Sequence, residues 1–288
     1  MNVALIGAGY WGDKYIKTLL EMPNVNLKWI CKKNIKGFSL KEIKFTTNVD
    51  DVLNDPEVDC VIIATPANTH FKLAKKSIEA EKHILVEKPF TTNAKEAQLL
   101  IKLNKKNLIL MPGHLYLHHP AIEKIKEIID FDVTVAYTKR MNQYKYNNAL
   151  REIAIHDIYI LEYFFGKKIK VKNIIGNSKH NISNIKFNDT ETYIEASTDY
   201  PGKIREIILK GENKRIIFNE MAQHKIIVTN FKPFLTYVEN FDKSISPLEK
   251  QCRHFFDCIE GKDKLKITAE DGLRSVQTIE ELYKRILK

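Results

Sequence analysis

An N-terminal doubly wound parallel sheet followed by an α+β domain with a mostly antiparallel sheet is the architecture predicted here, and three observations predict it. Strand-like and helix-like runs alternate strictly over residues 1–117, the pattern of a parallel sheet covered on both faces. A glycine-rich turn, Gly7-Ala8-Gly9-Tyr10-Trp11-Gly12, closes the first apolar run and opens a helical one. From about His118 the rhythm changes to successive strand-like runs joined by short turns, which reads as antiparallel pairing. The expected division is therefore 1–117 and 118–288.

In the first part, Val3 to Ile6 is a short apolar strand and Tyr10 to Glu21 a helix that stops before Pro23. Val25 to Cys31 is the second strand, Asn48 to Asn54 a short helix, and Asp59 to Ala64 a buried strand. A helix over Thr69 to Ala80, a strand over His83 to Val86, a helix over Asn93 to Lys105 and a strand over Leu108 to Met111 complete the alternation. In the second part, a helix from Pro120 to Ile129 leads into an alternating strand, Val133 to Arg140, and then a long apolar helix, Leu150 to Phe165. Strands are expected at Val171 to Asn177, Thr190 to Thr198, Lys203 to Leu209, Arg215 to Phe218 and Lys225 to Thr229, with turns at Pro201-Gly202 and Gly211 to Asn213. Two helices, Pro247 to Glu260 and Ala269 to Leu287, close the chain.

Composition narrows the class. With 288 residues the chain is long enough for two ordinary domains, and 44% hydrophobic with 28% charged residues excludes a disordered chain. The formal charge of +10 is dispersed, with no dense basic arm, so no nucleic-acid partner is expected, only a mild pull on anionic ligands. Cys31, Cys60, Cys252 and Cys258 form no C-x-x-C pair and no zinc spacing, which points to a reduced, cytoplasmic setting and no metal. No run approaches the length of a membrane span, and the N-terminus enters a strand with no basic leader.

The glycine turn carries the first chemistry. Gly7 allows the tight turn out of the strand, Gly9 lets backbone approach a pyrophosphate, and Gly12 lets helix and strand pack, while the helix N-terminus presents N–H groups to phosphate. In this context the pattern predicts a Rossmann dinucleotide site, with Tyr10 and Trp11 beside the cofactor. The second strand ends Cys31-Lys32-Lys33, without the acid that bonds an adenosine ribose. Lys32 there suits the 2′-phosphate of NADP; the alternative is a solvent-facing lysine with NAD held by other contacts. The cofactor is therefore NAD or NADP.

Three further segments give the chain a resemblance to the Gfo/Idh/MocA oxidoreductase family over nearly its whole length: Ala64-Thr65-Pro66-Ala67-Asn68-Thr69-His70, Glu87-Lys88-Pro89, and Glu152-Ile153-Ala154-Ile155-His156-Asp157. The resemblance implies that Thr65, Pro66, His70, Glu87 and Lys88 lie along the cofactor, and that Lys88 and His156 are the catalytic pair. The residues agree with that chemistry. A lysine at the C-terminal edge of a parallel sheet can bond a substrate hydroxyl and stabilise alkoxide charge, and histidine suits proton exchange near neutrality. Taken alone, Lys88 reads as a surface lysine beside a turn proline and His156 as a core histidine. Glu152, one helical turn before His156, stands where the family often has aspartate, and Ala154 replaces the usual glycine; Glu152 either orients His156, touches the sugar or is a plain polar residue.

A narrower likeness runs through Pro112-Gly113-His114-Leu115-Tyr116, His119-Pro120-Ala121, Lys139-Arg140-Met141-Asn142, Asn148-Ala149-Leu150, Pro247-Leu248-Glu249 with Cys252, and Asp271-Gly272-Leu273. It is similar to family members acting on nucleotide sugars for surface polysaccharide or lipid A. It resembles most the subgroup that oxidises the C3 hydroxyl of UDP-N-acetylglucosamine to a 3-keto sugar for a partner aminotransferase. That likeness implies substrate contacts from His114, Tyr116, Arg140, Asn142 and Glu152, with Arg140 gripping phosphate oxygens, and a homodimer or homotetramer. Other readings are an NADPH-dependent reductase of a keto nucleotide sugar and a non-catalytic sensor of the same fold, the latter disfavoured because Lys88 and His156 are both present.

Overall fold

The computed structural model describes residues 1–34, 40–143, 148–223 and 225–286. The chain divides into two compact units, one holding Met1–Leu115 and Ser246–Val276, the other Tyr116–Ile245 and Gln277–Lys288.

In the first unit, strands β1 (Asn2–Ile6), β2 (Asn26–Cys31), β3 (Lys44–Thr46), β4 (Cys60–Ile63), β5 (His83–Glu87) and β6 (Leu110–Gly113) form one sheet in the order β3-β2-β1-β4-β5-β6, every pair parallel. The order runs outward from β1 to β3 and then restarts at β4, so the switch point where such sheets bind ligands lies between β1 and β4. Helices α1 (Tyr10–Glu21), α2 (Val49–Leu53), α3 (His70–Glu79) and α4 (Ala94–Leu103) connect the strands. Side chains alternate along each strand, so one apolar strand serves two cores. Ala4, Ile6, Val61, Ile63, Ile84 and Val86 pack with α2, α3 and α4, while Val3, Leu5, Cys60, Ile62 and Leu85 pack on the opposite face with Tyr15, Ile16 and Leu19 of α1. The three-residue edge strand β3 carries no apolar alternation and was not foreseen from sequence.

In the second unit, α5 (Pro120–Ile128) precedes β7 (Val135–Gln143), and α6 (Ile155–Phe165) precedes β8 (Ile169–Gly176), β9 (His180–Phe187), β10 (Thr190–Ser197), β11 (Asp199–Lys210), β12 (Lys214–Asn219), β13 (Ile226–Phe231) and β14 (Phe234–Glu239). The sheet order is β14-β13-β12-β11-β7-β10-β9-β8; the pairs are antiparallel except β7 with β10. The expected antiparallel sheet is thus present, with two more strands than anticipated. β9 hides its pattern because two of its buried positions, Asn181 and Ser183, are polar, and β14 is a largely exposed edge. The expected continuous helix from Leu150 opens instead as a π-type turn, Leu150–Ala154, before α6. α6 buries apolar residues all round and ends at Gly166, whose φ of 91° only glycine adopts readily.

The segment Ser246–Val276 departs from the expected division at residue 117. It returns to the first unit, where α7 (Pro247–Ile259) lays Leu248, Cys252, Phe255 and Phe256 against Tyr15 and Leu19. The physical reason is coverage: without α7, the β1–β6 sheet has only α1 on that face, and an exposed parallel-sheet face is costly. α8 (Ala269–Ile286) begins in the first unit and ends in the second; the expected last helical residue, Leu287, lies outside the described residues.

Candidate active site

The phosphate turn sits at the C-terminal end of β1, beside the switch point. Gly7 has φ of +102°, its amide donates to the Cys31 carbonyl at 2.8 Å, and a Cβ there would lie 2.5 Å from the Ala64 oxygen. A Cβ on Gly12 would lie 2.2 Å from the Gly7 oxygen. Both glycines are therefore required by close backbone approach. Gly9 is different: nothing lies within 4 Å of where its Cβ would sit. Gly9 also caps α1 without any side-chain cap, and the first helical bond runs from Asp13 N–H to its carbonyl at 2.8 Å. The amides of Tyr10, Trp11 and Gly12 have no intrahelical acceptor, so the turn offers donors and open space together. Tyr10 is 74% exposed, and the Lys14 ammonium stands over the Tyr10 and Trp11 rings at 4.6 and 4.7 Å. Lys32 follows β2, half-buried, with its amide donating to Thr46 O at 3.0 Å.

Two more loops leave the same sheet edge. After β4, Thr65 is half-buried and Pro66 exposed, and the Thr69 hydroxyl bonds Thr65 Oγ1 at 2.7 Å. After β5, Lys88 is half-buried and its peptide with Pro89 is cis. Two residues expected along the cofactor are instead used inside the protein. His70 is 1% exposed, with Nδ1 2.8 Å from Pro89 O and Nε2 2.8 Å from Thr65 O. Glu87 is 7% exposed and accepts from the Tyr15 hydroxyl at 2.7 Å and the Lys88 amide at 3.1 Å. Burial pushes the Glu87 carboxyl up and the His70 imidazole down. Both side chains brace the loops rather than line them, because buried polar groups must find partners at once. His114, expected at the substrate, is 2% exposed at the end of β6.

The second unit holds the other expected residues. His156 is half-buried on α6, its ring 5.1 Å from that of Tyr116 in an edge contact. Arg140, expected to grip phosphate, is 4% exposed and donates through Nε and Nη2 to the Asp157 carboxylate at 3.0–3.2 Å. Its Nε/Nη2 edge is taken by Asp157, since a guanidinium taken out of water needs a carboxylate, while Nη1 is buried without a hydrogen-bond partner among the described residues. Burial works against that charge, but Asp157 and Tyr116 more than offset it and raise Arg140 above its usual range. The Tyr116 ring lies under Arg140 at 4.1 Å and within 5.5 Å of Arg205, whose Nη1 donates to Glu220 at 3.0 Å. The Asn142 side chain accepts from the amide of Gln143 at 2.9 Å. Glu152 lies in the π-type turn Leu150–Ala154 and is half-buried, four residues before His156 on α6.

Sequence reasoning missed Tyr15, Gln251, Arg205 and Glu220. Each is a polar residue in an otherwise ordinary helix, strand or turn, and only tertiary contact reveals its use. Among the described residues no cluster suits a metal ion, and no helix is long and apolar enough to cross a membrane.

Residues 1–114 match the oxidoreductase family Gfo/Idh/MocA, described as an NAD-binding Rossmann fold. The chain is 22% identical to the uncharacterized oxidoreductase YrbE of Bacillus subtilis (strain 168), over 94% of this chain and 90% of that one. Its first 114 residues therefore carry the NAD-binding Rossmann fold that this oxidoreductase family is described by. The UDP-N-acetylglucosamine 3-dehydrogenase of Acidithiobacillus ferrooxidans is 43% identical over 25% of this chain and 23% of its own length. The solved structure of that enzyme superposes with a TM-score of 0.87 at 19% identity, covering 100% of this chain and 99% of the other. The 3-ketoreductase KijD10 of Actinomadura kijaniata, solved with TDP-benzene and NADP in an open conformation, has a TM-score of 0.85 at 16% identity, covering 99% and 97%. The match of residues 1–114 to an NAD-binding Rossmann fold assigns a dinucleotide cofactor, NAD or NADP, and the open space at Gly9 over the uncapped start of α1 fits its pyrophosphate.

Proposed function

We propose that this oxidoreductase acts on a nucleotide sugar and oxidises the C3 hydroxyl of UDP-N-acetylglucosamine to a 3-keto sugar for a following aminotransferase. The reaction would belong to lipid A or surface-glycan synthesis in the cytoplasm. The observation that carries the proposal is Lys88 at the C-terminal end of β5, on the sheet edge that also carries the phosphate turn, with only β4 between β1 and β5. Oxidation removes a hydride from the sugar carbon and a proton from its hydroxyl. The bound dinucleotide supplies the hydride acceptor. Lys88 bonds the hydroxyl and stabilises negative charge on its oxygen, and His156 exchanges the proton. Gly7, Gly9, Tyr10, Trp11, Gly12, Thr65 and Pro66 hold the cofactor; Tyr116, Asn142 and Glu152 contact the sugar or the groups beside it.

Reduction of a 3-keto or 4-keto nucleotide sugar with NADPH is the second reading. It is favoured by Lys32 at the end of β2 and by the likeness to the NADP-bound 3-ketoreductase. A homo-oligomer is supported by a row of apolar side chains in register across the sheet of the second unit: Tyr193, Tyr137, Ile208, Ile217, Ile227 and Val238. All six are half-buried or exposed, and a second copy would cover them.

The test is cofactor reduction followed at 340 nm with UDP-N-acetylglucosamine and NAD, then NADP, with an aminotransferase and amino donor removing the keto product. Reduction that disappears in Lys88→Ala is the expected result. Absence of reduction with either cofactor, in protein that binds it, removes this sugar from the assignment.

A further inference from the structure

The turn that carries Lys88 is held from three sides by residues that are themselves buried. Glu87 folds its carboxylate back over the turn, where Oε2 accepts the Lys88 amide at 3.1 Å. Oε1 accepts the Tyr15 hydroxyl at 2.7 Å, and the same hydroxyl accepts from Gln251 Nε2 at 2.8 Å. Tyr15 and Gln251 are both 0% exposed. On a second side, the His70 ring stands between Pro89 O and Thr65 O, 2.8 Å from each, and its one N–H donates to one of these carbonyls while the ring packs the β5 loop against the β4 loop. On the third, a Cβ on Gly272 would lie 2.9 Å from Phe90 Cδ1 and 2.9 Å from Pro112 Cγ, so α8 is seated directly on the residue after Pro89.

We propose that Tyr15, Gln251 and His70 are positioning residues that fix the direction in which Lys88 leaves β5. The inference rests on Lys88 being catalytic and extends the catalytic apparatus to α7, the helix that returns from the far end of the chain. Lysine has a long flexible stem, so its ammonium is placed only as well as its backbone is. A chain of buried hydrogen bonds fixes that backbone more firmly than any single bond, because each member is left with an unsatisfied partner if another is removed. Gln251 and Tyr15 supply this on the side of α1 and α7; His70 supplies it on the side of the β4 loop. A displacement of 1 Å at a reacting group costs on the order of a hundredfold in rate, so a brace that touches neither cofactor nor substrate still acts on turnover.

The experiment uses the full chain with Gln251→Leu, Tyr15→Phe, His70→Leu and His70→Asn, read by amide hydrogen exchange of a peptide covering residues 84–92. Exchange there should rise at least tenfold in Gln251→Leu and His70→Leu, while a peptide covering β1 stays within twofold of wild type. Tyr15→Phe keeps the ring volume and should show the same direction if Gln251→Leu does not fold. His70→Asn, whose amide still donates to a carbonyl, should recover part of the protection lost in His70→Leu. With UDP-N-acetylglucosamine, kcat should fall on the order of tenfold with KM changed less than threefold. Unchanged exchange at 84–92 in folded variants overturns the brace, as does faster exchange with wild-type kcat. If wild-type protein does not turn over this sugar, the substrate assignment falls, and the exchange measurement alone decides the brace.

Discussion

Arg140 and Asp157 form a buried pair in which Nε and Nη2 of the one meet the carboxylate of the other at 3.0–3.2 Å. The pair joins the middle of the second sheet to α6, one residue from His156, and Tyr116 stacks beneath the guanidinium. Breaking one partner leaves the other charge buried and alone. Asp157→Asn should therefore cost about 3–5 kcal/mol, whereas replacing both partners with Arg140→Met and Asp157→Leu should cost far less. Urea denaturation of the two variants measures the difference. Equal losses would show that the pair is held by packing and not by charge.

The three glycines of the phosphate turn should separate by function. Gly12→Ala forces a Cβ against the Gly7 carbonyl and should destabilise the fold by about 1–3 kcal/mol. Gly9→Ala meets nothing within 4 Å and should leave stability within about 1 kcal/mol. Its methyl occupies the space proposed for the pyrophosphate, so dinucleotide affinity should fall tenfold or more in a titration of tryptophan fluorescence. Wild-type affinity in Gly9→Ala would place the pyrophosphate elsewhere.

Where sequence and structure agree, a single local signal decides the matter. The apolar run Cys60–Ile63 between turn residues is buried at every position, and the Gly7–Gly12 spacing follows from backbone so close that an added Cβ would lie 2.2–2.5 Å from a carbonyl oxygen. Where they part, a long-range partner decides. Nothing near Arg140 in sequence says that Asp157 takes its Nε/Nη2 edge, and nothing near Gln251 says that α7 closes the α1 face of the first sheet. His70 and Glu87 were legible as residues of importance, but their role as braces depends on carbonyl and hydroxyl partners that only the fold brings near.

Lys32 should decide between the two dinucleotides. It stands just after β2, where an acid would bond the 2′-hydroxyl of NAD and repel the phosphate of NADP. Lys32→Asp should weaken NADP at least tenfold, the size of one charge-assisted hydrogen bond of about 1.5–3 kcal/mol, and leave NAD equal or tighter. Parallel titrations with both dinucleotides check this. A change of less than twofold for each would make Lys32 a solvent-facing residue.

His119 should make stability depend on pH. Its Nδ1 accepts the Ala121 amide at 3.1 Å to cap α5, and its ring lies among Tyr116, Phe218 and Phe241. Burial is the main cause that lowers its pKa from 6.5 to about 4, with Lys225, Arg140 and Arg205 adding to it and Glu220 opposing. A proton on Nδ1 would also destroy the cap. The unfolded chain, with an ordinary histidine, therefore binds the proton first. The stability contributed by the neutral ring is complete above about pH 6.5 and is lost as pH falls toward 4, by about 3 kcal/mol at most. His119→Asn keeps an oxygen acceptor at the cap and removes the titration. His70, His83 and His254, which burial also lowers, remain in both proteins and cancel. Urea midpoints at pH 7.5 and pH 5 should converge between variant and wild type as the pH drops. A constant difference would mean that His119 does not change its protonation on unfolding in that range.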